Sequence, residues 1–183
     1  MLTDKKLKRA IVASLSVELL DKKYRAFLKP SDASVRGHCA VASEAFYHLM
    51  GGKEAGLMPA VCGYEVDEKG CLHFNSAAAS DFRHETHWWI QGPKNGKRGA
   101  GTVIDLTAAQ FDFPFPYEKG RHVGFMQPRQ KPSKRAQVVI DRVTALLGAK
   151  ALSAYREQSI QDFYASNVIS SRARGHSSRL LGK

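Results

Sequence analysis

The feature that most constrains this chain is the run THWWIQGPKNGKRGAGTVIDLT, residues 86 to 107. Its two ends are rich in aromatic and β-branched residues, and its middle holds four glycines and a proline. Two antiparallel strands with a long or bulged connection satisfy that pattern. Folding the hairpin about Gly96 sets His87 opposite Asp105, each nine residues from the turn. Facing side chains in such a pair have Cβ atoms about 4.5–5.5 Å apart. A carboxylate there can hold one imidazole nitrogen and leave the other for a nucleophile. An Asp between apolar neighbours on a strand needs a partner. The alternative is that Asp105 caps the turn at TAAQ or pairs with an arginine.

The second constraint is SVRGHCAVASEAFYHLMGG, residues 34 to 52. Its composition predicts a helix from about Cys39 to Met50, stopped by Gly51 and Gly52. The first turn of a helix offers unpaired N–H groups and the positive end of the dipole, which favour a thiolate and can bind an oxyanion. Gly37 allows close backbone approach just before it. The position suits a nucleophile; it also suits a small buried core residue. His38, adjacent in sequence, is placed lining the site or shaping the turn rather than acting as base. Trp88 and Trp89 point to opposite faces of their strand. Core packing accounts for both, with one walling the pocket beside His87 or lying under residues 112 to 125. Tyr64, Tyr117 and Arg121 could reach a substrate. Cys62, Cys71, His73, His84 and His87 are the candidate zinc ligands, but no close Cys-x-x-Cys or His-x-x-x-His pair occurs. No metal and no other cofactor is expected.

Apolar residues at helical spacing over residues 4 to 28 predict one helix, ended by Pro30. PAVCGYEV and CLHF read as short strands. Residues 112 to 125 read as an irregular covering segment, and Ser133 caps a helix closed by Gly148. A last helix is expected over residues 149 to 166. The organisation is one α+β domain over residues 1–168 and a basic, flexible tail over 169–183. No apolar run approaches the ~18 residues of a membrane span. The N-terminus lacks a signal cleavage site, and three cysteines at irregular spacing fit reduced thiols, so the cytoplasm is the expected compartment. Of the net charge of +11, residues 121 to 183 hold +9. That asymmetry suits attraction to nucleic acid or an acidic protein, or a set of solvated helix faces.

Three blocks, GHCAVASEAFYHLMGG, THWWI and GTVIDLTAAQF, resemble those of the small YunG-like proteins of bacteria and phages. PYEKGRHVGF and PSKRAQVVIDRV are similar to the phage-type members, and the resemblance spans about residues 30 to 145. In the order Cys, His, Asp the blocks are also similar to papain-like and transglutaminase-like folds. The resemblance implies helices packed on a small antiparallel sheet, with Cys39 as nucleophile, His87 as base and Asp105 as orienter. It implies a thiol-dependent hydrolase, deamidase or acyltransferase acting on a peptide or protein amide through a thioester, in a bacterial host if phage-encoded. The rival is a non-enzymatic accessory protein gripping an acidic protein or nucleic acid through its basic C-terminal third. In one respect the chain departs from the pattern: many members carry Gln immediately before the cysteine, where this chain has His38.

Overall fold

The computed structural model describes residues 2–28, 34–66, 72–75, 85–125 and 131–180. Helices and an antiparallel sheet are mixed, and the sheet curls into a half-barrel. In chain order the elements are α1 (Asp4–Ala13), α2 (Lys22–Phe27), α3 (Cys39–Leu49), β1 (Met58–Val66), β2 (Leu72–Asn75), β3 (Glu85–Gln91), β4 (Val103–Ile104), β5 (Arg121–His122), α4 (Lys134–Leu147) and α5 (Ala149–Leu180). The sheet order is β2-β1-β3-β4, and β5 also pairs with β1.

The expected helix over residues 4 to 28 is interrupted after Ala13. Turning the chain at Ser14 frees carbonyls that a continuous helix would have used, and cationic or ring N–H groups take them. Arg142 donates to Ser14 O and Ser16 Oγ, His38 Nε2 lies 3.0 Å from Ser16 O, and Arg25 donates to Glu18 O and Leu20 O. The apolar spacing survives the break, so Leu7, Ile11 and Leu19 still reach the core. Tertiary hydrogen bonds outweigh local propensity here.

Two cores lie apart. One is aliphatic: Leu7 and Ile11 of α1, Ala42 and Phe46 of α3, Ile90 of β3, and Val139 and Val143 of α4. Glu44 locks α4 onto α3. Its carboxylate accepts from Ser133 N at 2.8 Å and from Ser133 Oγ at 2.6 Å, beside the positive end of the α4 dipole. The second core, Ala60, Cys62, Trp89 and Phe115 with Phe74, Phe111, Phe113 and Tyr117 around them, is aromatic. The irregular segment 111–117 thus covers the sheet face that carries Trp89. Gly120 must be a glycine, because a Cβ there would come within 2.0 Å of the Trp89 ring.

The 86–107 hairpin forms, but its register differs from the expected one. A two-residue turn at Asn95-Gly96, with φ of 50° and 71°, joins Lys94 and Lys97 through reciprocal backbone hydrogen bonds. The returning side then bulges: five positions separate Lys97 from Thr102, against two between Lys94 and Gly92, its partner. Ile90 therefore pairs with Ile104, and the same register carried one step past β4 would set Trp89, not His87, opposite Asp105. The slip is two residues, so side chains keep their faces and His87 meets Asp105 diagonally.

α5 continues past residue 166 to Leu180. No proline occurs between residues 149 and 180, and extending an existing helix avoids the cost of nucleation.

Candidate active site

β4 is only two residues long and leaves the edge of β3 open beside Thr86 and Trp88. Gly92 exchanges hydrogen bonds with the returning strand, so even-numbered residues of β3 direct their carbonyls to that edge. The N-terminal half of α3 fills it. Ser43 Oγ donates to Trp88 O at 3.1 Å, and Cys39 Sγ approaches Thr86 O at 3.5 Å. One helical turn, four residues at about 1.5 Å, nearly matches two residues of strand at about 3.3 Å each. This match delivers the Cys39 sulfur to the strand position next to His87.

Behind the sulfur, four side chains close a hydrogen-bonded ring. His87 Nε2 lies 2.7 Å from Asp105 Oδ2, with the two side chains only 1% and 3% exposed. Asp105 Oδ1 accepts from Thr107 N at 2.8 Å and from Thr107 Oγ at 3.1 Å. Gln110 Nε2 lies 3.1 Å from Thr107 Oγ and 3.1 Å from His87 Nδ1. Tyr117 OH adds a fourth donor to Asp105, 2.8 Å from Oδ2. One carboxylate oxygen takes the imidazole and the other bends the chain at Thr107, while the 3-10 turn over Ala108–Gln110 itself has no side-chain cap. Phe111 and Phe115 pack edge-on against the imidazole with centroids 4.7 and 4.6 Å away, and Trp89 stacks at 5.9 Å.

Burial alone would push the His87 pKa down. The hydrogen bond with Asp105, and after it the neighbouring Cys39 sulfur, outweigh burial and raise it from 6.5 to about 9. For Asp105, burial pushes upward, but the imidazole and the Thr107 and Tyr117 donors win and hold the carboxyl below its usual range. Burial, followed by the Tyr117 hydroxyl's bond to Asp105, raises the Tyr117 phenol. Cys62, across the strand from His87, is also raised, by burial first.

The first turn of α3 opens onto a cavity of about 350 Å³ whose walls include Cys39, Gln110, Tyr24, Tyr64, Glu85 and Trp88. α3 has no side-chain cap at its N-terminus, which leaves the N–H groups of that turn available to an anion. His87 and Asp105 sit behind the cavity wall rather than on it. Burial first, and then the charge of Glu85, push the Tyr24 phenol up to about 12. It remains a neutral donor at the cavity.

Cys39, His87 and Asp105 come together, though through a hairpin register two residues from the expected one, and Trp88 and Tyr64 reach the cavity. Three expectations are corrected. Of the two roles expected for His38, the site-lining one is corrected and the turn-shaping one kept. It is buried and turned away from the cavity, its ring nitrogens 3.1 Å from Arg36 O in the 34–37 turn and 3.0 Å from Ser16 O, an acceptor supplied by the break in the N-terminal helix. Arg121 belongs to exposed β5 and is absent from the cavity wall. Tyr117 lies beneath Asp105, not beside a substrate, and Trp89 backs the imidazole. Cys71 and His84 lie outside the described residues. Sequence reading missed Thr107 and Gln110. The spacing Asp-x-Thr in DLTAAQ is a side-chain turn signal, and the 3-10 turn over Ala108–Gln110 carries Gln110 back to the ring. No family model, curated protein or solved structure matches this chain.

Proposed function

We propose that the protein is a thiol-dependent amide hydrolase, deamidase or acyltransferase with Cys39 as nucleophile. The observation that carries this reading is the site's layering. A cysteine in the uncapped first turn of a helix faces a cavity, with a buried imidazole–carboxylate pair behind it. The proposed fold relationship is papain-like or transglutaminase-like and the proposed family YunG-like. A cysteine-bearing helix packed on an antiparallel sheet that carries His87, with Asp105 directly after β4, supports both.

In the proposed reaction His87 Nδ1 takes the thiol proton and the sulfur attacks the carbonyl carbon of a bound amide. The negative charge moves to the carbonyl oxygen, where N–H groups of the α3 first turn stabilise it. The C–N bond breaks as His87 returns its proton to the leaving nitrogen, and a thioester remains on Cys39. Water or an amine then gives a proton to Nδ1 and attacks the thioester, which releases the product and restores the thiol. Asp105 keeps the ring in the Nε2–H form and stabilises the imidazolium.

Acylation by p-nitrophenyl acetate, followed by mass spectrometry, tests this. The acetyl group is expected on Cys39, at a rate at least about a hundredfold lower in His87→Ala. Equal labelling of Cys39 and Cys62, or a rate indifferent to His87→Ala, overturns the reading.

The charge asymmetry favours a second reading, a binding module for an acidic protein or nucleic acid. Residues 121 to 183 carry +9, and α5 also exposes Tyr164, Val168 and Ile169. Binding that weakens steeply with salt and is unaffected by Cys39→Ala would select it.

A further inference from the structure

The hydrogen-bond ring contains a conflict that the catalytic reading does not use. Thr107 Oγ spends its proton on Asp105 Oδ1, so toward Gln110 it can only accept. That fixes the Gln110 amide: the NH₂ group faces Thr107 and the carbonyl oxygen faces Gly37 N, 3.4 Å away. The same NH₂ group lies 3.1 Å from His87 Nδ1. With Gln110 in that place Nδ1 offers its lone pair and the ring is neutral; the pKa of about 9 belongs to the ring whose partner on that side is the Cys39 sulfur instead. Meanwhile Cys39 Sγ directs its proton to Thr86 O. The ring is pulled two ways: Asp105 on Nε2 favours the imidazolium, and Gln110 on Nδ1 favours the neutral form.

We infer that Gln110 is a latch on the thiol–imidazole pair, holding the base nitrogen engaged until a carbonyl group in the cavity draws the amide away. This deepens the amide-acyl reading and rests on it. Gln110 lines the cavity beside Cys39, although its NH₂ group faces buried Thr107 and His87, so a substrate carbonyl oxygen entering there reaches that group once the amide rotates toward the cavity. Once the amide donates to that oxygen, the Nδ1 lone pair is free to take the thiol proton. Site entry and activation of the sulfur become one event. The substrate class this selects is a carbonyl compound with an unhindered oxygen, such as a primary or peptide amide. Gln110 is on this view a positioning residue for His87.

The latch predicts an effect opposite to that of a supporting residue: removing it speeds the resting thiol. Gln110→Met preserves length and volume without the donor, and Gln110→Ala serves as a second variant. Iodoacetamide, whose reaction with sulfur needs no oxyanion site, is the probe. At pH 7 both variants are expected to alkylate Cys39 about twofold to tenfold faster than wild type, the range set by one hydrogen bond. The gain should vanish when His87→Ala is added. The His87 pKa, followed by NMR of the imidazole nitrogens, should rise by up to about one unit. Rates at or below wild type with the His87 pKa unmoved overturn the latch. Alkylation of wild type that ignores His87→Ala instead overturns the underlying catalytic reading, so the two failures are distinguishable. Circular dichroism of each variant confirms that the comparison is made on folded protein.

Discussion

The two cores differ in what they enclose. The α1–α3–α4 core is built mainly of aliphatic side chains with Phe46 among them. The sheet core is aromatic and encloses His87, and against it Asp105 and Thr107 hide from water while remaining hydrogen-bonded to one another. Aliphatic side chains fill space densely. Aromatic rings also pack edge-on against an imidazole and exclude water from its charge. One core supplies stability, and the other sets the protonation state of the ring it surrounds.

The largest effect that should separate them is a cavity in the first. Phe46 is fully buried, so Phe46→Ala is expected to cost about 3–5 kcal/mol in urea unfolding. Acylation of Cys39 in the folded fraction should stay within about twofold, since distant sites act nearly independently. A large change in labelling would show that the two cores are mechanically one.

The next effect belongs to the aromatic core and is read against pH. The His87 pKa is raised from 6.5 to about 9 on folding, so its contribution is fully present below about pH 6.5 and is lost as pH rises through 9. It amounts to on the order of 3 kcal/mol. Asp105 is depressed, so its contribution is present above about pH 4 and lost as pH falls through its folded value. Urea midpoints at pH 6 and pH 9.5 should differ in wild type and much less in His87→Gln. An equal alkaline decline in both proteins would assign the titration elsewhere. Asp105→Asn follows in size. It removes a charge-assisted bond and should slow acylation of Cys39 roughly tenfold to a hundredfold.

Much of this division was legible in the chain, for reasons that differ by residue. Cys39 at a helix start and Gly51-Gly52 at its end are local signals, and the structure keeps them. Asn95-Gly96 marks its turn through a backbone preference, while the bulge at residues 98 to 101 carries no comparable signal, so the register was misjudged by two. The His87–Asp105 contact survived because an even slip preserves faces. Gln110 is harder to place, since only the Asp-x-Thr turn signal points toward it. Its position depends on a single 3-10 turn that exists because Asp105 has already bent the chain at Thr107. The direction of His38 likewise depends on a tertiary event, the break after Ala13.

The smallest effect sharpens the comparison at the seam between the cores, where α3 lies along the edge of β3. Ser43 and Cys39, one turn apart, meet the carbonyls of Trp88 and Thr86, but with unequal chemistry. A hydroxyl at 3.1 Å is a sound donor; a thiol at 3.5 Å is a weak one. Ser43→Ala should strand a carbonyl and cost about 1 kcal/mol, read as a lower urea midpoint with Cys39 acylation unchanged. Cys39→Ala should cost less in stability, because Thr86 loses little, and should abolish acylation at that position. If instead Ser43→Ala slows acylation severalfold, the edge contact positions the sulfur as well as closing the sheet. The stabilising core then reaches into the chemistry through that one hydroxyl.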